Sequence, residues 1–146
     1  MKFVSLFAGI GGIDLGLERS GHECVGQVEL DDYATQVLEK HWPHVPRIRD
    51  VHDFHGTEFG HFDMLVGGYP CQPFSVAGSR KGQHDDRHLW PEVLRILRAV
   101  RPRFLLVENV TGHLSLGFER VLGDLAQSGY DAEWDCIPAA AVGAPH

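Results

Sequence analysis

Phe3-Val4-Ser5-Leu6-Phe7-Ala8-Gly9-Ile10-Gly11-Gly12-Ile13-Asp14-Leu15-Gly16-Leu17-Glu18 opens the chain with an apolar run, a glycine turn and a helical pattern. Phe3 to Phe7 reads as a strand, and Ile13 and Leu17, with Leu15 between them, suggest a helix. Strand, glycine turn and helix together form a nucleotide-binding opening. The glycines let the backbone approach a ligand closely, and the N–H groups at the start of the helix are available to it. Asp14 stands where the dinucleotide fingerprint has its third glycine, which argues against a nicotinamide or flavin enzyme. A plain tight turn is the alternative reading.

Working outward, Gly21 closes the first helix and His22 to Leu30 forms a second strand ending in Glu29. Glu29 follows the turn by roughly the 20 residues at which an acidic side chain meets a ribose hydroxyl in nucleotide-binding βαβ units. Asp31-Asp32 caps a helix from Tyr33 to His41, which Pro43 stops. Val45 to Ile48 is a third strand. It runs into Arg49-Asp50-Val51, where Asp50 is either an ordinary turn aspartate or a second carboxylate at a strand end. Residues 52–61 read as a loop or short helix.

Met64 to Val66 is a short buried strand that Gly67-Gly68 ends, and Cys71 follows, wedged between Pro70 and Pro73. The prolines fix φ at 70 and 73, and Pro70 biases Tyr69 toward extended backbone, so the thiol is aimed. A buried, purely structural cysteine is the competing reading, because free cysteine usually behaves as a small hydrophobe. Cys24 and Cys136 sit in mixed apolar stretches and read as packing residues. Three cysteines without close pairing argue against a disulfide scaffold.

Residues 76–88 are polar and glycine-rich, which suggests a functional loop. Leu89-Trp90-Pro91 opens a helix from Glu92 to Val100, with Arg95 and Arg98 expected on a solvated face. Pro102 ends it, and Phe104 to Val107 is a continuous apolar strand running into Glu108-Asn109-Val110. A carboxylate directly after a buried strand must be solvated, paired or used, and burial would raise its pKa toward a useful acid–base range. Leu116 to Gln127 is a helix, and Tyr130 to Val142 is expected to return as a last strand.

At 146 residues, 43% hydrophobic and 23% charged, the chain fits one globular domain with a real core. No apolar run approaches the roughly 20 residues of a membrane span and no signal peptide opens the chain, so a cytoplasmic protein without membrane partners is expected. A formal charge of −7 gives no overall basic footprint for nucleic acid, although Arg80-Lys81-Arg87 and Arg95-Arg98-Arg101-Arg103 are local basic clusters. His41/His44, His52/His55 and His84/His88 have ligand-like spacings, but no cysteine pair accompanies them, so no metal site is expected.

Strands alternating with helices imply right-handed crossovers and a parallel sheet that binds ligands at the strands' carboxyl ends. Gly9 to Gly12, Glu29, Asp50, Cys71 and Glu108 would then line a single crevice.

With these residues in view, the chain resembles the catalytic domain of the cytosine-C5 DNA methyltransferases. Phe7-Ala8-Gly9-Ile10-Gly11-Gly12 looks like the family's cofactor loop. Gly68-Tyr69-Pro70-Cys71-Gln72-Pro73-Phe74-Ser75 looks like its Pro-Cys nucleophile motif, and Glu108-Asn109-Val110 like its base-binding motif, in matching order and spacing. The resemblance covers essentially the whole chain. It implies an α/β fold, a doubly wound, mostly parallel, Rossmann-like sheet of the S-adenosyl-methionine-dependent methyltransferase type, incomplete at its C-terminal edge. Residues 1–146 would form one partial catalytic domain without a target-recognition domain.

The resemblance implies S-adenosyl-L-methionine as cofactor. Phe7, Ala8, Gly9, Gly11 and Gly12 would lie near it, Glu29 on its ribose, Asp50 and Val51 at its adenine, with Leu30, Pro70 and Leu89 also contributing. Leu30 stands where family members often carry an aromatic residue. In the implied chemistry Cys71 adds as thiolate to C6 of cytosine and makes C5 electron-rich, while Glu108 holds the ring at N3 and the exocyclic amine; Pro70 and Asn109 belong to the same catalytic motifs. The base must leave the duplex, and Ser79 to His88 is the element expected to close over it.

Double-stranded DNA is the implied partner, in the setting of a restriction–modification system. The family's target-recognition region, its final cofactor motif and an Arg-x-Arg after Val142-Gly143-Ala144-Pro145 are absent, which suggests a companion chain supplying the missing part and a chain inactive alone. Three alternatives stand beside this reading: an RNA cytosine-C5 enzyme of the same family, a cofactor-binding fragment without chemistry, and half of a split enzyme.

Overall fold

The computed structural model describes residues 1–70 and 89–144. Strands β1 (Lys2–Leu6), β2 (Glu23–Val28), β3 (Arg47–Ile48), β4 (Met64–Gly67) and β5 (Phe104–Val107) form one sheet in the order β3-β2-β1-β4-β5. Every pairing is parallel. Helix α1 (Gly12–Arg19) joins β1 to β2, α2 (Asp32–His41) joins β2 to β3, α3 (Trp90–Val100) leads into β5, and α4 (Phe118–Gln127) follows it. The order runs outward from β1 to β3 and then restarts on the other side at β4. The carboxyl ends of β1 and β4 therefore flank the topological switch point, where open α/β sheets bind ligands.

Alternation along β1 assigns the two faces. Phe3 points with Cys24, Met64 and Val66 toward Ile13 and Leu17 of α1. Val4 and Leu6 point with Val28 and Leu65 toward Trp90, Ile96 and Leu97 of α3 and Val121 and Leu125 of α4. Burying these side chains on both faces is the main stabilising term, at roughly 25 cal/mol per Å² of apolar surface. Asp31 caps α2 as expected, its Oδ1 accepting the Ala34 N–H at 2.8 Å.

Several sequence-based expectations are corrected. Tyr130 to Val142 does not form a strand: residues 131–138 carry no regular structure and Ala139–Val142 is a 3₁₀ turn. Among the described residues the backbone of that stretch has no ladder partner, and Pro138 removes a donor. β5 is consequently the sheet edge among the described residues, with Phe104 41% and Leu106 42% exposed. Cys24 is buried as expected, but Cys136 is exposed.

Arg98 is exposed, as expected of a solvated face, but Arg95 is a half-buried clamp. Arg95 pairs with Glu92 at 2.7 Å and donates to the Val51 and Phe54 carbonyls at 3.0 and 2.9 Å, while Arg98 donates to Ser128 Oγ at 3.0 Å. Among the described residues, no helix is long and apolar enough to cross a membrane.

Candidate active site

The carboxyl ends of β1 to β4 surround a cavity of about 440 Å³, within the usual range for a small-molecule site. Its walls include Phe7, Glu29, Leu30, Asp50, Val51, Pro70 and Leu89, all predicted cofactor residues from five separate parts of the chain, joined by Val28, Arg49 and His52. Glu29 holds the turn beside the cavity. Its Oε2 accepts the Gly9 N–H at 2.6 Å and its Oε1 accepts the Asp31 N–H at 2.7 Å, which leaves lone pairs on both oxygens for a ligand's hydroxyls. The turn is tight: Phe7 has φ +52 and Gly9 φ +56. A left-handed, non-glycine Phe7 stores about 1 kcal/mol or more, as strained residues at ligand sites commonly do.

The other turn residues divide by role. Ala8 and Gly9 shape the turn without lining the cavity, and Ala8 N–H donates to the Val28 carbonyl at 3.2 Å. Gly11 faces α2 instead: with φ +86, a Cβ there would come within 2.6 Å of the Trp42 ring and 3.1 Å of Leu38. Gly12 opens α1 with free space around it. Asp50 does both things expected of it, its Oδ1 capping the His52 N–H at 2.9 Å while the residue lines the cavity.

Tyr69, one residue before Pro70, ties this cavity's rim to the end of β5, where Glu108 and Asn109 stand. Cys71, with the rest of the stretch from 71 to 88, lies outside the described residues, as do His84 and His88. Glu108 is exposed, so of the three readings its carboxylate is the solvated one. A Cβ on Gly68 would meet Glu108 Oε2 at 3.0 Å, so the carboxylate lies close against the residue that follows β4. Asn109 uses its amide to donate to the Tyr69 carbonyl at 3.2 Å and its Oδ1 to accept the Val110 N–H at 2.9 Å. It orients the segment around Glu108.

The sequence reading missed the buried Tyr69–His113 pair and the burial of Asp14. Tyr69 is 3% exposed, and its hydroxyl is hydrogen-bonded to Nε2 of His113, itself 4% exposed. His113 Nδ1 lies 2.9 Å from the Leu116 carbonyl, to which it must donate, so Nε2 accepts from the tyrosine. Burial lowers the His113 pKa and keeps the ring neutral; burial likewise raises that of Tyr69. The partners are 44 residues apart and no local spacing announces them. Asp14 is fully buried beneath the turn, accepts Gln27 Nε2 at 2.8 Å, and has its pKa raised by burial. An acidic residue inside an apolar helical pattern was the available signal.

Among the described residues, no group of three or more His, Cys, Asp or Glu side chains could hold a metal ion.

The family model for C-5 cytosine-specific DNA methylase matches residues 1–146. The chain belongs to this family. Among curated methylases, it is 39% identical over 150 residues to the Type II methyltransferase M.NgoMIV of Neisseria gonorrhoeae, a match covering 98% of this chain and 48% of that protein. It is 37% identical to M.BsuFI of Bacillus subtilis, covering 99% of this chain and 36% of that one. The chain thus spans half or less of these methylases. The methylase fold is matched by a Spodoptera frugiperda DNMT2 mutant at TM-score 0.69 and 23% identity, over 87% of this chain and 41% of that one. A putative DNA modification methyltransferase encoded within an Escherichia coli prophage matches at TM-score 0.67 and 27% identity, over 88% and 36%.

Proposed function

We propose that this chain is the amino-terminal catalytic part of a cytoplasmic DNA (cytosine-5-)-methyltransferase of a restriction–modification system. The observation that carries the reading is the junction at Pro70, which touches the Glu29 cavity on one side and precedes Cys71 in sequence, while the Glu108-Asn109 pair borders the end of the same strand. The cavity suits S-adenosyl-L-methionine: Glu29 offers acceptors for ribose hydroxyls, and Phe7, Val51, Pro70 and Leu89 offer apolar walls. When bound, the cofactor supplies an electrophilic methyl group.

The chain's own residues supply the rest. Cytosine C5 is too poor a nucleophile until a thiolate adds at C6, and Cys71 is assigned that addition. Glu108 is assigned the cytosine N3 and exocyclic amine: one oxygen accepts the amine N–H, and the other, in its acid form, gives N3 a proton as sulfur adds, so that negative charge does not build on the ring. After C5 is methylated, loss of its proton and departure of the Cys71 thiolate restore the aromatic ring. Neither carbon is reachable inside a duplex, so the base must be extruded.

Duplex DNA carrying 5-fluorocytosine tests the assignment, because fluorine cannot leave C5 as a proton does. The protein, completed with the carboxyl-terminal part of M.NgoMIV, should form a cofactor-dependent covalent complex. Cys71→Ser should abolish it and Glu108→Gln should weaken it. Trapping that survives Cys71→Ser, or that occurs on tRNA and not on DNA, would overturn the reading.

A further inference from the structure

The ends of β4 and β5 are joined by more than the sheet. The ladder between them runs from Met64–Phe104 to Gly67–Val107 and continues with the Glu108 N–H donating to the Gly67 carbonyl at 3.2 Å. Past the last rung, the Asn109 amide reaches the Tyr69 carbonyl at 3.2 Å. Beyond that, Tyr69 and His113 close a third link between side chains. Trp90 packs against the Tyr69 ring with centroids 5.7 Å apart and donates its Nε1 to Asp124 at 2.9 Å, and Phe118 meets His113 edge-on at 6.2 Å. A Phe–Leu pair would fill this space equally well and would avoid burying three polar heteroatoms. What a directional hydrogen bond adds to such a packed pair is a fixed register.

Resting on the proposed methyltransferase reading, we propose that Tyr69 and His113 are positioning residues: their hydrogen bond sets the end of β4, which leads through Pro70 into the nucleophile segment, against Glu108 and Asn109 at the end of β5. Neither side chain lines the Glu29 cavity, so the pair acts on the geometry of addition to the base and leaves cofactor binding alone. Tyr69→Phe deletes the hydroxyl while keeping the ring, and His113→Gln keeps an acceptor where His113→Leu keeps none.

Two measurements decide the proposal. In residues 1–146, Tyr69→Phe and His113→Leu should raise amide hydrogen exchange about five- to tenfold in residues 67–69 and 108–110 together, the scale of one net hydrogen bond, with β1 and β2 unchanged. In the completed enzyme, the same variants should lower kcat about tenfold with KM for cofactor within twofold, and His113→Gln should recover most of the loss. Exchange that rises in only one segment, in neither, or throughout the chain would overturn the proposal, as would a change confined to KM or no rescue by His113→Gln. A wild-type enzyme that transfers no methyl group would refute the proposed function, and the exchange result alone would then decide the pair.

Discussion

The Glu29 carboxylate accepts the backbone N–H of Gly9 at 2.6 Å, tying the end of β2 directly to the turn that leaves β1. A residue assigned to a ligand therefore also holds the loop that shapes the ligand's cavity. Its second oxygen, on the Asp31 N–H at 2.7 Å, extends the tie to the start of α2.

Glu29→Ala is accordingly expected to do two things. It strands two N–H donors, which should lower stability by about 1–3 kcal/mol, and it should weaken binding of S-adenosyl-homocysteine at least tenfold. Calorimetric titration beside thermal melting separates the effects. Unchanged affinity in a folded variant would remove Glu29 from the site.

Gly11 and Gly12 should respond oppositely to alanine. At Gly11 the positive φ and the overlap with Trp42 and Leu38 add to an expected loss of about 2–4 kcal/mol, read by urea denaturation. At Gly12, which has ordinary φ and open space, stability should hold within about 0.5 kcal/mol. Any change there should appear in cofactor affinity instead.

These contrasts mark what the sequence could disclose. Glu29 and Asp50 could be placed beside one cavity from the sequence because each follows a strand, and a parallel sheet brings such ends to one edge; the turn glycines and Glu108, expected in the same crevice, do not line that cavity. Gly11 was legible as a glycine but not as a packing partner of Trp42, since that contact depends on where α2 settles. Tyr69 and His113 were illegible for the same reason. The misread final strand had the apolar residues Trp134 and Ile137 but no hydrogen-bonding neighbour among the described residues, and pattern alone cannot provide one.

Stability should depend on pH through two buried groups with opposite signs. His113 has its pKa lowered below 6.5 by burial, so the unfolded chain takes up its proton first. Its contribution is intact above about pH 6.5 and is lost as pH falls through the depressed value. Asp14 has its pKa raised above 3.8, again by burial, so its contribution is full below about pH 3.8 and declines as pH rises through the raised value. Melting temperatures between pH 4 and 8 should show that His113→Gln flattens the acid-side loss. Asp14→Asn should gain Tm relative to wild type as pH rises. Parallel curves for all three proteins would contradict both assignments.

The last expectation concerns residues 1–146 acting by themselves. Among the described residues β5 presents an unpaired strand edge, and Trp134 and Ile137, 60% and 73% exposed, stand across two cavities of about 400 and 360 Å³ from it. The curated methylases are at least twice as long as the aligned region, so in them additional chain is available to cover an edge of this kind. An uncovered edge beside apolar surface favours association, and a chain of formal charge −7 offers DNA phosphates little attraction. Residues 1–146 should therefore bind S-adenosyl-homocysteine yet transfer no labelled methyl to duplex DNA. The carboxyl-terminal part of M.NgoMIV, added as a separate chain, should restore transfer and suppress self-association in sedimentation. Robust methylation by residues 1–146 alone would falsify this expectation and show that base extrusion needs only the Pro70 and Glu108 ends of the sheet.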